Sequence, residues 1–305
     1  MSLPVKLHIL GCHAATPKAS THPTAQILDL QNELYLIDCG EGTQVEIRRN
    51  RIRFSKIKRI FISHLHGDHF FGLPGLISTF RLLGRKQELH VYGPEGINEA
   101  ITLLLKLGQS RVDYPLIFHE LSSKKSECIH EDDRMRICTI PLKHRIYTNG
   151  FLFIEKPAPR KLNMEVVGRM GIDKAYFRKI KRGEDVVLDD GHLVKNSELT
   201  IDPPPPRQYA YCSDTSYWPE IIPLIQGVDL LYHETTFLES EAALAAKTGH
   251  STAMEAARIA KEAGVGRLLL GHYSTRYRSL NAFKKEAETI FPNVLLANEG
   301  KIFEL

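Results

Sequence analysis

The chain lacks any apolar run near the roughly 20 residues that a membrane-spanning helix needs. Stretches such as Ile101–Leu105 and Leu268–Leu270 are short. Cysteine is sparse: five residues, an odd number with no CxxC pair, which argues against a disulfide framework and against a thiolate-based zinc site. The beginning, MSLPVKLHILGC, has neither an apolar signal region nor a small-residue cleavage site, so a cytoplasmic location with no membrane partner is expected. Neither sign of charge dominates. Against 40 Lys+Arg stand 36 Asp+Glu, and a net charge of +4 points to no nucleic-acid partner by itself. No repeat or low-complexity block is present beyond Pro203–Pro206, which must be a loop or rigid connector because it cannot donate backbone hydrogen bonds.

What is there is a globular composition, 43% hydrophobic and 25% charged, which excludes disordered and fibrous classes. A length of 305 residues suits two domains or one large two-layer α/β unit. Period-two alternation between turn residues predicts strands at Lys6–Leu10, Gln26–Leu30, Leu34–Asp38, Arg59–Ser63 and Leu89–Tyr92. Later strands are expected at Arg134–Ile140, Gly150–Glu155, Gln208–Ser213, Leu230–His233 and Arg267–Leu270, with Val294–Ala297 closing the set. Helices are expected over Gly42–Asn50, Gly75–Leu83, Gly96–Leu107 and Ser279–Phe291. Thr252 and Glu255 form a capping box that opens a further helix, Ala253–Ala263.

Histidine is abundant, 14 residues, and its placement is informative. Several strand-like runs end in a potential metal ligand: KRIFISH in His64, MRICTIPLKH in His144, QYAYCSD in Asp214, DLLYHE in His233 and Glu234, RLLLGH in His272. Side chains just past strand ends of open α/β sheets converge on one crevice. The densest element is His64-Leu65-His66-Gly67-Asp68-His69. His64 and His66 can share a side, and Gly67 allows a tight turn that swings Asp68 and His69 to a second position. Four N/O ligands in six residues suit two adjacent metals better than one tetrahedral ion.

The HxHxDH element is the signature of the metallo-β-lactamase superfamily, which the chain resembles. Further segments, LIDCGEGTQ (36–44), SHLHGDHFFGLPGL (63–76), PLKHRIYTNGF (141–151), YCSDT (211–215), HETTF (233–237), GHSTAMEAA (249–257) and GHYSTRY (271–277), make it similar to the ribonuclease Z family of tRNA 3′-processing endonucleases. The resemblance implies an α/β fold, an αββα sandwich of two mixed sheets flanked by helices, as a single domain over 1–305 with a protruding basic arm inserted at 156–205. It implies two Zn²⁺ per subunit, one on His64, His66 and His144, the other on Asp68, His69 and His272, with Asp214 between them. The implied reaction is removal of the 3′ trailer from precursor tRNA by a metal-activated hydroxide attacking phosphorus. It leaves a 3′-hydroxyl on the tRNA and a 5′-phosphate on the trailer. Asp68 would hold or accept the nucleophile's proton, His250 would protonate the leaving oxygen, and Glu234 would orient His250. Without the family, His250 reads as a surface histidine beside a helix and Glu234 as a salt-bridge partner. A homodimer is implied, each arm serving the partner's site.

The basic arm agrees with an RNA substrate. Between Lys156 and Arg182, nine basic residues face two acidic ones, a net +7 that leaves −3 for the rest of the chain. Lys174, Arg178, Lys179, Lys181 and Arg182 are its candidate phosphate contacts, and Arg276 is another beside His272. The Gly-Pro stretch usual in bacterial relatives is missing from MGIDKAYFRKIKRG (170–183). The run Arg48–Arg59, with seven basic residues, is either a further phosphate contact or a helix end and loop. The alternative functions are a small-molecule hydrolase on the same fold, such as a small-phosphodiester hydrolase, and a non-catalytic RNA-binding protein. The second is disfavoured because all seven ligand positions are filled.

Overall fold

The structure, a computed structural model, describes residues 5–16, 18–188 and 191–305. Residues 1–4, within the N-terminal segment, and 189–190, within the expected arm, lie outside the described residues. Alternation along the strands builds the layers. In Glu33–Ile37, Leu34 and Leu36 join an apolar cluster with helix residues Ile47, Leu76 and Ile101. Tyr35, between them, turns to the opposite face and meets Phe153 edge-on at 6.1 Å. Ile60 and Phe61 divide in the same way: Phe61 packs on Phe151 and Phe153, with centroids 5.4 and 5.6 Å apart. Full burial of one such ring contributes roughly 1.5–3 kcal/mol.

Among the described residues, two seven-stranded sheets result. The first runs Ile302–Glu304, Val5–Gly11, Ala25–Leu30, Glu33–Ile37, Ile57–Phe61, Leu89–Pro94, Leu116–Leu121. It is antiparallel up to Glu33–Ile37 and parallel beyond. The second runs Val294–Leu296, Arg267–Gly271, Leu230–Glu234, Gln208–Cys212, Asn149–Glu155, Met135–Pro141, Cys128–Glu131, and its first four strands are parallel. Helices Thr43–Arg49, Leu73–Leu82 and Ile97–Leu107 cover the outer face of the first sheet. Ala253–Glu262 and Asn281–Glu288 cover the second. Thr252 caps Ala253–Glu262 with the expected reciprocal box.

The strand expected to close the set at Val294–Ala297 is followed by another, Ile302–Glu304, which pairs with Val5–Gly11. Three residues are too few to show an alternation. Leu116–Leu121 and Cys128–Glu131, at sheet edges, are two further strands that the sequence did not predict.

The described residues divide into two compact units, Glu131–Arg136 with Ile154–Pro206 in one and the other described residues in the second. The first contains the described residues of the expected arm and has an apolar core of its own, built on Val167, Ile172, Ile180, Val186, Val194 and Leu199. Little periodicity shows in its sequence because the apolar residues are scattered over elements of two to six residues. Asn196 ties them together, its Nδ2 donating to the carbonyls of Ile180 (2.6 Å) and Glu184 (3.0 Å). Tyr176 packs on this core.

Candidate metal centre

Parallel strands bring their C-terminal ends to one edge, and the chemistry-bearing side chains lie there. Asp38 follows Glu33–Ile37, and His64 follows Ile57–Phe61 by three residues. Asp214 follows Gln208–Cys212, Glu234 ends Leu230–Glu234, and His272 follows Arg267–Gly271. Asp38 and His272 have left-handed backbones, φ 55° and 60°, a strained geometry that clusters at functional sites. Gly67 is not the tight turn expected from sequence. It begins a one-turn helix, Gly67–Phe70, that carries Asp68 and His69. A Cβ on Gly67 would come within 2.3 Å of the Phe71 ring.

Asp214 organises the centre. Its Oδ2 faces His64 Nε2 at 3.6 Å and His144 Nε2 at 4.0 Å. His66 Nδ1 completes this group, 3.0 Å from His64 Nε2 and 3.3 Å from His144 Nε2. Asp214 Oδ1 faces His69 Nε2 at 3.3 Å and His272 Nε2 at 3.2 Å, and Asp68 Oδ2 lies 3.5 and 3.4 Å from the same nitrogens. Two four-donor groups therefore share one carboxylate. Each has a geometry able to hold a cation, with N/O donors alone, as in catalytic zinc sites. Among the described residues, His69 Nε2 and Asp214 Oδ1 are buried without a hydrogen-bond partner. Such atoms are costly unless something else, here a cation, satisfies them, so the residues fit a metal pair.

A second layer fixes the imidazoles. His69 Nδ1 donates to Asp38 Oδ2 (2.7 Å), His144 Nδ1 to the Gly249 carbonyl (2.7 Å), and His272 Nδ1 meets Thr236 Oγ1 (2.9 Å). Each contact leaves Nε2 for the metal. Asp38 also accepts from Ser63 N, Ser63 Oγ and Tyr211 OH, at 2.7, 2.9 and 2.5 Å. Gly249 has φ 77°, and a Cβ there would sit 2.9 Å from His144 Nδ1.

His250 lies beside the groups. Its Nδ1 is 2.9 Å from Glu234 Oε1 and 3.9 Å from Asp214 Oδ2. Glu234 is fully buried and also accepts from the backbone N–H groups of Thr215, Ser251 and Thr236 and from Thr236 Oγ1, at 2.8–3.1 Å. Burial lowers the pKa of His250, but the Glu234 carboxylate outweighs it and pushes the imidazole up to about 9. Burial raises Asp68 and Asp214, but neighbouring histidines, His69 for Asp68 and His272 for Asp214 foremost, hold both below the usual carboxylate range.

The structure thus brings His64, His66, Asp68, His69, His144, Asp214, Glu234, His250 and His272 together. His233 does not join them, since strand alternation turns it from Glu234 and its Nδ1 binds the Glu234 carbonyl. Arg276 Nη1 is 3.4 Å from Glu241, over the Phe237 ring. Within the basic run 48–59, Arg59 pairs with Glu33 and Arg49 with Glu46. Lys174, Arg178, Lys179, Lys181 and Arg182 are exposed on the smaller unit, while Ile180 among them is buried. Asp38, Ser63, Thr236 and Thr215 were not singled out from the sequence. Asp38 offered one signal, a carboxylate ending an apolar strand.

Comparison with known proteins agrees with this arrangement. A family model for a β-lactamase superfamily domain matches residues 181–273, and one for the anti-Pycsar protein Apyc1 matches 5–151. Human tRNase Z, short form, superposes with a TM-score of 0.71 at 26% identity, over 98% of each chain. The metallo-β-lactamase fold protein YhfI of Bacillus subtilis superposes at 0.70 and 20% identity, over 99% of this chain and 100% of that one. Fold and site define a metal-binding hydrolase of the metallo-β-lactamase fold, with two mixed sheets flanked by helices. Ribonuclease Z of Bacteroides fragilis is 47% identical over 98% of this chain and 99% of its own, and that of Porphyromonas gingivalis 47% identical over 98% of each. The chain belongs to the ribonuclease Z family.

Proposed function

We infer that this chain is an endoribonuclease that removes the 3′ trailer from precursor tRNA, using two Zn²⁺ per subunit. The observation that carries the reading is the pair of donor groups sharing Asp214, in a chain 47% identical to ribonuclease Z over 98% of its length. His64, His66 and His144 would hold one cation and Asp68, His69 and His272 the other, with Asp214 common to both groups. When bound, such a pair neutralises charge on a phosphate oxygen and makes water acidic enough to serve as a nucleophile near neutral pH.

The chain's own groups handle the protons. Asp68, ionised at the edge of the centre with 8% of its side chain exposed, accepts the proton released by the nucleophile. His250, anchored by Nδ1 to Glu234, carries its proton at neutral pH and presents Nε2 to the leaving 3′-oxygen of the ribose. The tRNA then keeps a 3′-hydroxyl and the trailer a 5′-phosphate. Lys174, Arg178, Lys179, Lys181 and Arg182 bind phosphates of the tRNA body, and Arg276 a phosphate nearer the cut. The same reading carries the homodimer and the cytoplasmic location; among the described residues no helix is long and apolar enough to cross a membrane.

A zinc-loaded sample incubated with a trailer-bearing precursor is expected to cut at the trailer junction, to stop on chelation and to recover with Zn²⁺. Metal analysis should give two ions per chain, and sedimentation a dimer. No metal-dependent cut at that junction would overturn the reading.

A further inference from the structure

Beside the metal donors, the larger unit holds a cleft of about 730 Å³. Its floor includes the loop that carries His144. The His144 imidazole has no exposed surface and turns to Gly249 and His66, so this loop gives its imidazole to the metal centre and its backbone to the cleft. Lys124, Lys125 and Lys143 line the cleft against one acidic residue, Glu220. Trp218, the chain's only tryptophan, forms a half-buried wall with Lys143 Nζ 4.9 Å from its ring centroid. The backbone ties this wall to the centre: Lys143 N–H donates to Thr215 Oγ1 (3.1 Å), and Ser216 N–H donates to the Lys143 carbonyl (2.8 Å). Lys143 therefore sits one residue from a metal donor, and Trp218 four residues after the shared carboxylate.

We propose that this cleft is the subsite for the single-stranded 3′ trailer, with a base stacked on Trp218 and trailer phosphates on Lys124, Lys125 and Lys143. The proposal rests on the reading of the chain as a precursor-tRNA endonuclease. An aromatic wall with interleaved cations is how proteins hold unpaired RNA without reading its sequence, because every base offers a π face and every nucleotide a phosphate. The acceptor stem is paired and cannot stack in this way. The trailer is unpaired and begins at the scissile phosphate, which would sit at the cations held by the donors on the other side of the same loop. Lys143 over the indole keeps the ring in place before RNA arrives and adds positive charge beside the stacked base.

The test compares two precursors with the same tRNA body, one with a trailer of one nucleotide and one of six. Trp218→Ala should reduce the long-over-short ratio of kcat/KM roughly tenfold, through KM, as removal of one stacked base implies. Trp218→Phe should restore most of the ratio, and Lys143→Gln should lower it and flatten its salt dependence. Independently of cleavage, a free six-nucleotide RNA should quench the fluorescence of Trp218 in the zinc-loaded protein. Equal losses on both precursors would assign Trp218 to bracing the His144 loop and overturn the proposal, as would an unchanged ratio or an unquenched signal. If the wild type cuts neither precursor, the endonuclease reading fails, and quenching still decides whether the cleft takes RNA.

Discussion

Replacing Asp38 with Asn preserves the volume of the side chain and removes one acceptor from a fully buried network. Asp38 Oδ1 accepts from Ser63 N–H, and Oδ2 from Tyr211 OH, His69 Nδ1 and Ser63 Oγ. An amide can satisfy only one side. With its oxygen toward His69, its NH₂ meets the Ser63 N–H, two buried donors face one another, and the fold loses about 1–3 kcal/mol. With its NH₂ toward His69, Nδ1 must accept. The proton then moves to Nε2, the atom 3.3 Å from Asp214 Oδ1, and the second cation loses a donor. Removing such an orienting partner typically lowers metal affinity 10–100-fold. Asp38→Asn should therefore lower the melting temperature of the metal-free protein by several degrees, at roughly 2–4 °C per kcal/mol, or weaken the second metal by one to two decades. Calorimetry and chelator-competition titration measure both. A variant with wild-type melting and two wild-type metal affinities would refute the role given to Asp38.

Three further outcomes are expected. His250→Ala should cut turnover by about 10²–10⁴-fold with both metals retained; metal loss would instead make His250 a ligand. Changing Lys174, Arg178, Lys179, Lys181 and Arg182 to Gln should raise KM for precursor tRNA and reduce the salt slope of binding by about 0.7–0.9 for each phosphate no longer neutralised. Parallel loss of bis(p-nitrophenyl) phosphate hydrolysis would sink the assignment of these residues to the tRNA body. Thr252→Ala removes the oxygen that accepts from Glu255 N–H and a 2.6 Å bond to Glu239, so it should cost about 1–2 kcal/mol on thermal unfolding, with Thr252→Ser recovering most.

The metal donors were legible because ligand types recur at strand ends, and parallel strands carry such ends to one edge whatever lies between them. His64, His144, Asp214 and His272 are spread over some two hundred residues, yet each announces itself by following an apolar run. Their orienting partners were not legible. Ser63, Thr236 and Thr215 are commonplace residue types, and what makes them functional is a hydrogen bond across the fold. The smaller unit was obscure for a related reason. Its core residues, such as Val167, Ile180 and Val194, come from elements too short to display a period, and its conspicuous charges lie on the exposed side of that core.

One consequence joins the metals to the fold. His64, His66, Asp68 and His69 belong to the first sheet's edge, while His144, Asp214 and His272 belong to the second, so each donor group spans the sandwich. Polar bonds such as Tyr209 OH to Gln26 and Tyr211 OH to Asp38, both 2.5 Å, do the same between the sheets. A cation bound to either group must therefore stabilise the packing of one sheet on the other. Free metal at a thousand times Kd adds about 4 kcal/mol per site to unfolding. Chelation should thus lower the melting temperature far more than Thr252→Ala, and Asp214→Asn, which weakens both groups at once, should abolish most of that shift. If the metal-free and zinc-loaded proteins melt together, the donor groups do not couple the sheets.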